Sequence, residues 1–472
     1  MGSVEDVVDS GQRMAKCREQ FEEVLSRVTR PGQETLDTVE REAFAGLLEV
    51  GRLLMQARLE AEAEQDKAAE VTSPGGQKLP FHSHKRVTYR SVFGEVEVKR
   101  AYYWEAGAAE GHSPLDARLN LPARKDSYVL QEWALRMGTT ESFDEMQGGL
   151  RELLKLEIPK RPLETYARDA GPAWRTFYEE RQAPRPKEEG PILVVQTDGK
   201  GVPMKKPVPA KGPKRLKKGQ KRDKKRMSRV GVVYTTERRQ GEEDDPKPVG
   251  KEVFAELEKR EGFGQELFER ANLRGKKAKR KAFLADGQKD LWDLARDLFP
   301  DYVQILDWMH ASEYLWKAAY LWLPESSPEA HAWVERQQKR FREGRVKDVI
   351  REIRKLARDG TIRGKARREA ALKIAAYYET NRERMRYDRY RRMGLPIGTG
   401  AVEGACRHLV KDRMERSGMR WTVEGGQAIL TLRGIYVSDH WEPFWSWYRA
   451  NEAHRLYGRT AVVKAPMVRA AA

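Results

Sequence analysis

The sequence predicts a mixed α/β core interrupted by an all-α insertion and preceded by a helical and β-hairpin region with a helix-turn-helix. Three observations predict it. From residue 191 short apolar runs alternate with helical periods, the pattern of a sheet covered by helices. Residues 326–392 keep a helical period with dense charge. Before residue 188 the apolar period switches from helical to alternating and back. The domain reading is a helical region at 1–75, a hairpin-containing region at 76–125, and a helix-turn-helix with linker at 126–187. The core follows at 188–325 and 393–450, split by the insertion at 326–392, with a tail at 451–472.

A chain of 472 residues has room for these parts, roughly two to four domains at ~100–200 residues each. Hydrophobic residues make up 39% and charged residues 34%, so a core is affordable within a polar chain. The net charge of +18 favours polyanionic partners. Cys17 and Cys406 are the two cysteines, which excludes a disulfide framework and a zinc site built mainly from cysteine. No apolar run approaches the ~18 residues of a membrane span, and the N-terminus has no signal-peptide pattern. The expectation is a cytoplasmic, nucleoid-associated protein.

The elements follow in order. Phe44, Leu47, Leu48, Val50, Leu53, Leu54 and Leu59 recur at helical spacing, and Thr72-Ser73-Pro74-Gly75-Gly76 ends that region. Val87, Tyr89 and Val92 alternate with polar residues, Phe93-Gly94-Glu95 reads as a turn, and Val96, Val98 and Tyr102 resume the alternation. His82, His84 and His112 flank this hairpin without cysteines or close carboxylates, and read as ordinary surface histidines. Ser142 and Glu145 form a capping box at the start of a helix carrying Met146, Leu150, Leu153 and Leu154. After Ile158-Pro159-Lys160-Arg161-Pro162 a second, basic helix runs toward Gly171-Pro172. Helix, turn and basic helix fit a helix-turn-helix and equally a plain helical hairpin. In the core the expectation is strand 191–197, a long loop, strand 229–235, helix 251–272, strand 280–285, helix 288–298, strand 302–306 and helix 308–322.

Three carboxylates mark the candidate site. Asp198 closes Ile192-Leu193-Val194-Val195 and precedes Gly199; Asp286 closes Ala282-Phe283-Leu284-Ala285 and precedes Gly287-Gln288; Glu403 opens a helix-like, basic stretch. An Asp-Gly after a strand is commonly just a turn. The ordered set is more specific, because two strand-end acids and a helix acid can hold a pair of Mg²⁺ ions (Mn²⁺ as a possible substitute) ~3.5–4 Å apart across a phosphodiester. Asp307 and His310 lie three apart after a further strand, as ligands or as a local hydrogen-bonded pair.

The basic residues are unevenly spread. Between Lys205 and Arg229 there are 13 cations against Asp223 alone, among them Lys214, Arg215, Lys217, Lys218, Lys221, Arg222, Lys224, Lys225 and Arg226. This run reads as a DNA-contacting loop, with a solvated surface loop as the alternative. Lys160, Arg161 and Arg168 surround the second helix of the helix-turn-helix. Glu403, Arg407 and Lys411 share a face at i, i+4 spacing, either toward DNA or as a salt-bridge ladder. Arg413, Arg416 and Arg420 with Trp421 suit phosphate and base contact. Trp441, Trp445 and Trp447 read as core.

These residues carry a resemblance. Asp198-Gly199-Lys200-Gly201-Val202-Pro203-Met204, Leu306-Asp307-Trp308-Met309-His310 with Glu313-Tyr314-Leu315-Trp316-Lys317-Ala318-Ala319, and Val402-Glu403-Gly404-Ala405-Cys406-Arg407-His408 with Gly418-Met419-Arg420-Trp421 resemble the ISKra-type insertion-sequence transposases. These are bacterial DDE transposases related to Mutator-like elements, and the similarity runs from about residue 85 to about residue 450. The resemblance implies an RNase H-like catalytic core that cuts and joins DNA with Mg²⁺. It implies duplex DNA with terminal inverted repeats and target DNA as partners, and a homo-oligomer on DNA. Asp198 and Glu403 match the first and last acids. Asp286-Gly287-Gln288, Phe299-Pro300 and Asp307-x-x-His310 follow the Mutator-like order, which makes Asp286 the second acid and Asp307 and His310 supporting residues. The paired cysteines that relatives often carry after the hairpin are replaced here by Tyr102-Tyr103-Trp104-Glu105-Ala106-Gly107, so a zinc knuckle is not supported.

The expected function is a DNA transposase that binds insertion-sequence ends and performs strand cleavage and transfer. Alternatives are a domesticated, non-cutting DNA-binding protein, against which the three intact acids argue, and an RNA-directed nuclease of the same core fold.

Overall fold

The computed structural model describes residues 10–458 except 33, 109, 183–188, 206–224, 238–246, 258–260, 275–277 and 417. Among them the chain divides into two compact units, 10–177 with 442–458 and 178–441.

The first unit begins with α1 (Ser10–Thr29) and α2 (Leu36–Ala63), which pack on each other; Thr35 caps α2 through Thr38 N–H. A three-stranded antiparallel sheet follows in the order β1 (Glu70–Thr72), β2 (Lys78–Ser91), β3 (Gly94–Tyr103). Thr72–Gly76, read as the end of the helical region, instead turns β1 into β2. The β2–β3 turn is Val92-Phe93, one residue earlier than the sequence suggests, because Ser91 already pairs with Gly94. Alternation puts Val96 and Val98 on the face that meets Leu59 of α2, with Leu115 and Leu121 completing this core. Then come α3 (Pro114–Arg118), α4 (Tyr128–Gly138), α5 (Phe143–Leu154), α6 (Lys160–Ala170) and α7 (Trp174–Glu180). The Ser142–Glu145 capping box is present. Helix α5 ends on Lys155 in the left-handed region, and α6 buries Leu163, Tyr166, Ala167 and Ala170.

The second unit holds a five-stranded sheet: β4 (Ile192–Pro203), β5 (Lys225–Thr236), β6 (Pro248–Glu256), β7 (Arg280–Ala285) and β8 (Val303–Leu306). Its order is β6-β5-β4-β7-β8; β4, β5 and β6 are antiparallel neighbours, while β7 and β8 run parallel to β4. The residues of β4 from Ile192 to Thr197 are all buried, as a central strand covered on both faces requires. Helices α8 (Glu261–Arg274), α9 (Lys289–Leu298) and α10 (Trp308–Ala319) follow β6, β7 and β8.

The expected helix 251–272 is corrected: Lys251 to Glu256 belong to β6, and the helix starts at Glu261. Glu252 does not belong to a helix face. It lies instead on a buried sheet position, 1% exposed, where Arg181 donates to it at 2.6 Å.

The insertion comprises α11 (Pro328–Arg342), α12 (Val346–Arg358), α13 (Lys365–Asn381) and α14 (Tyr387–Arg392). Buried tyrosines anchor it: Tyr387 Oη donates to the Leu306 carbonyl at 3.0 Å and Tyr378 Oη to that of Ala311 at 2.8 Å. After it come α15 (Gly400–Ala405), a π-helical segment (Cys406–Lys411), α16 (Asp412–Met414) and α17 (Val423–Val437). Helix α18 (Trp441–Tyr457) belongs from Glu442 onward to the first unit, so residues 442–450, expected with the core, cluster elsewhere. Its Phe444 and Trp447 pack on Phe177 with ring centroids 5.4 and 5.7 Å apart, and Trp441, Trp445 and Trp447 are buried. No helix among the described residues is long and apolar enough to cross a membrane.

Candidate active site

Sheet register alone gathers three acids. Thr197 of β4 is level with Ala285 of β7, and Ala285 is level with Leu306 of β8. The next residue on each strand is Asp198, Asp286 and Asp307. All three therefore stand in one row. Asp286 and Asp307 lie just past the carboxyl ends of β7 and β8, the place where open α/β sheets bind ligands. Asp198 lies within β4, which the sequence reading ended at 197, where its pairing with β7 stops and only β5 continues beside it.

Glu403 reaches the same edge through the turn before α15. Thr399 donates its backbone N–H to Asp307 Oδ1 at 2.8 Å and its hydroxyl to Glu403 Oε1 at 3.1 Å. Gln196 of β4 fixes that turn from below, donating to the Gly398 carbonyl at 3.1 Å and accepting from Val402 N–H at 3.0 Å. From the following turn Cys406 Sγ donates to Asp198 Oδ2 at 3.3 Å. The helix that presents Glu403 widens into a π segment at Cys406, a distortion frequent at functional sites. The even i, i+4 face expected for Glu403, Arg407 and Lys411 is thereby broken, although Arg407 and Lys411 both remain exposed.

The acids differ in environment. Asp307 is fully buried and caps α10; its Oδ2 accepts from His310 N–H at 2.7 Å and pairs with His310 Nδ1 at 2.8 Å. Burial pushes its pKa up, but the bonds from His310 and Thr399 outweigh burial and hold it below the usual range. The same hydrogen bond raises His310 to about 9, with Asp286 adding to the pull, so the imidazole is a cation at neutral pH. Asp286 accepts from Gln288 N–H at 2.9 Å and from Gln288 Nε2 at 2.8 Å. Its pKa is raised, first by burial; the Asp198 charge pushes the same way, while Gln288 and His310 oppose. Burial, then the Asp198 charge, pushes the Cys406 thiol up, so it is a neutral donor.

Ligand atoms of Asp307, His310 and Glu403 lie within 4.8 Å of one another, a grouping that could hold a metal ion. The donor set along the edge is hard oxygen plus one imidazole, which suits a divalent cation. A row of acids in which one carboxyl is held up partly by its neighbour's charge is the imbalance such a cation relieves. Asp198, Asp286 and Glu403 accept hydrogen bonds yet keep lone pairs for further ligation, whereas both oxygens of Asp307 are engaged by Thr399 and His310.

Sequence reasoning missed Thr399, Gln196 and Cys406, which place the acids. It also missed Tyr377 of α13. A Cβ on Gly287 would run into the Tyr377 ring, so glycine after Asp286 is required by close approach of the insertion. Tyr377 stacks on Tyr314 of α10 at 4.1 Å. Only the glycine itself signalled this contact.

The expected DNA contacts fall into three groups. Lys214, Arg215, Lys217, Lys218, Lys221, Arg222 and Lys224 lie outside the described residues. Lys160, Arg161, Lys225, Arg407, Lys411 and Arg420 are exposed, Arg168, Arg226 and Arg416 half-buried; Lys160 pairs with Asp144, and Lys225 with Glu415 at 3.1 Å. Arg413 is corrected: it is fully buried, its guanidinium 5.0 Å from the Trp421 ring centroid, so it packs the fold and cannot meet DNA. Trp421 is itself buried, and its backbone clamps the end of β4 through Lys205 N–H and the Pro203 carbonyl. It is therefore no stacking platform.

No family model matches the chain, and no curated protein matches it. Among solved structures, a chain of the Drosophila P element transposase strand transfer complex is similar over 72% of this chain and 83% of that one, at 7% identity and a TM-score of 0.25, too slight to carry an argument.

Proposed function

We propose that this chain is a DDE transposase of the ISKra type, which binds insertion-sequence ends and cuts and joins DNA with divalent metal ions. The observation that carries the reading is the row of Asp198, Asp286 and Asp307 at one sheet edge, with Glu403 tied to it through Thr399. The strand order, three antiparallel strands and then two parallel to the first, is the order an RNase H-like core requires. The net charge of +18 supports a nucleic-acid substrate.

Asp198, Asp286 and Glu403 would hold two Mg²⁺ ions. When bound, these supply charge stabilisation at the attacking and leaving oxygens of the phosphodiester. The chain's own work is orientation. Gln288 fixes both oxygens of Asp286, Thr399 fixes Glu403, and Cys406 fixes Asp198. His310, held cationic by Asp307, offsets repulsion among the acids. In this assignment Asp307 and His310 support the site. A second arrangement, with Asp307, His310 and Glu403 as the ligands, is favoured by their mutual proximity. It requires His310 to lose its proton and Asp307 to give up its bonds, so we rank it second.

Duplex DNA bearing the element's ends, incubated with the full chain and Mg²⁺, should be cleaved; binding without cleavage in Mg²⁺ and in Mn²⁺ would leave a DNA-binding protein that no longer cuts. Mg²⁺ alone should raise the thermal midpoint, as any ligand of the native state does, and Asp198→Asn should abolish that rise. For α5 and α6 the proposal is a helix-turn-helix. Replacing Lys160, Arg161 and Arg168 by Gln should weaken binding to element ends more than to random DNA; equal loss would mean contact with phosphates alone.

A further inference from the structure

Helix α12 of the insertion is sharply two-sided. Val346, Val349, Ile350, Ile353 and Ala357 are buried against the bundle. Away from that face stand Lys347, Arg351, Arg354, Lys355 and Arg358, which at ~100° per residue fall within about 100° of one another and form one stripe. At 1.5 Å per residue the stripe is ~16 Å long. It forms one wall of a cleft of about 720 Å³ whose other wall is the end of α13, where Arg382 stands. Six cations face two acids there, Asp359 and Glu379, for a net charge of four positive.

Some of these cations are spoken for. Arg354 and Arg382 share Glu379 at 3.4 and 2.9 Å, and Arg351 leans on Asp348 at 3.3 Å. Lys347 and Arg358 form no ion pair within 4 Å among the described residues, and Lys355 acts only at longer range on Asp359, so these three hold the charge most open to a ligand. The chain past the stripe adds to the field. Helix α13 starts at Gly364 with no side-chain cap and no acid in its first turn, which carries Lys365, Arg367 and Arg368. Cations at a helix N-terminus oppose the macrodipole, an arrangement that an anion relieves.

We propose that this cleft binds the phosphate backbone of duplex DNA, at a surface separate from the acid edge. Two observations select the ligand. A rigid helix presents the cations at fixed intervals, which suits a stiff polyanion, and none of the residues lining the cleft is aromatic, whereas single strands are held largely by stacking. The separation follows from helix geometry. Tyr377 meets Gly287 beside Asp286, while Glu379 and Arg382 sit about 200° and 140° around α13 from it at ~100° per residue. The cleft therefore holds DNA other than the bonds being broken, and the inference does not depend on the cutting reading.

The test is the salt dependence of binding by the full chain without divalent metal, on a duplex of random sequence and on single-stranded RNA of equal length. In the variant Lys347→Gln/Lys355→Gln/Arg358→Gln, each lost phosphate contact should take about 0.9 from the slope of log affinity against log salt on the duplex, with a smaller effect on RNA. A charge-matched control, Arg296→Gln/Lys317→Gln/Lys339→Gln, alters exposed cations elsewhere on the unit and should keep the parent slope. Circular dichroism and the melting midpoint establish that both variants are folded. An unchanged duplex slope, an equal fall in the control, or an effect on RNA as large as on the duplex would each overturn the proposal.

Discussion

The second unit contains two clusters of buried charge, and they are built on opposite principles. One lies where β6 meets α8. Glu252, 1% exposed, is surrounded by Arg181 at 2.6 Å and by Arg270 and Arg274 at 3.8 Å each, with Glu266 pairing Arg270 and Glu189 pairing Arg274. Burial pushes Glu252 up, but these guanidinium groups outweigh it and hold its pKa at about 2. The other is the acid edge, where Asp286 is raised because burial and a neighbouring acid outweigh Gln288 and His310. Glu252 and Asp286 are both buried and both shifted. The contrast lies at the central acids: Glu252 is held down by the fold's own arginines, while Asp286 is held up in a way a cation would relieve. Around them burial raises Glu189, and the bonds from His310 and Thr399 outweigh burial to lower Asp307.

The largest effect expected is on cleavage. Asp198→Asn, Asp286→Asn and Glu403→Gln should each lower the cleavage rate about 10³-fold or more, the equivalent of several kcal/mol of lost charge stabilisation, with duplex binding retained. Asp307→Asn and His310→Gln, acting through other groups, should cost only 10–100-fold, in line with supporting residues around a metal. Single-turnover cleavage of a labelled end reads both. If Asp307→Asn is as damaging as Asp198→Asn and Asp286→Asn is mild, the second acid is Asp307 and the contrast between the two roles fails.

Stability should sort the clusters the other way. Glu252→Gln strands Arg181 in the interior, while Arg270 and Arg274 keep Glu266 and Glu189, and should cost about 3–5 kcal/mol in chemical denaturation. Asp286→Asn removes one of several like charges, and in metal-free protein should be neutral or stabilising, the familiar conflict between a site's function and its stability. A large loss from Asp286→Asn would mean that the edge is a satisfied network too.

A smaller effect tests how the insertion meets the edge. Gly287→Ala drives a methyl into Tyr377, which is backed by Tyr314, and should cost about 1–3 kcal/mol as overpacking does, with slower cleavage. Adding Tyr377→Ala should recover part of the cleavage rate. No recovery would show that the glycine serves Asp286 by some other route.

Much of the acid edge was legible in the sequence because Asp198, Asp286 and Asp307 each end an apolar run, and a run's end is a local property. What pairs with them was not. Thr399 and Cys406 reach Asp307 and Asp198 only after the whole insertion has been threaded, and no spacing rule connects positions 92 and 208 residues apart. The same blindness explains β6. Glu252 in a charged stretch reads as a helix surface unless its arginines, 71 residues before it and on α8 after it, are known to arrive. Arg413 fails in mirror image, an arginine in a basic run that the fold takes inside against Trp421. Charge near charge in a sequence predicts exposure, and tertiary pairing overrides that prediction wherever a partner is supplied from afar.

The smallest effect is on the pH dependence of stability, and the two clusters should give it two limbs. Glu252 is depressed to about 2 and His440, buried beside the arginines, to about 4, chiefly by desolvation. For both groups the fold holds fewer protons than the unfolded chain, whose Glu and His titrate at about 4.3 and 6.5. Their stabilisation is therefore full above about pH 6.5 and is lost as pH falls, first through His440 and then through Glu252. His310 has the opposite sign. Raised to about 9 by Asp307, it stabilises fully below about 6.5 and loses that contribution as pH rises through 9. Allowing for its partial exposure, the alkaline limb should amount to roughly 1–2 kcal/mol. His310→Gln should flatten the alkaline limb and leave the acid limb in place, and Glu252→Gln should remove the lowest part of the acid limb, leaving the part carried by His440 and the alkaline limb. If either variant flattens both limbs, the clusters are coupled and the opposition between a satisfied lattice and a waiting site does not hold.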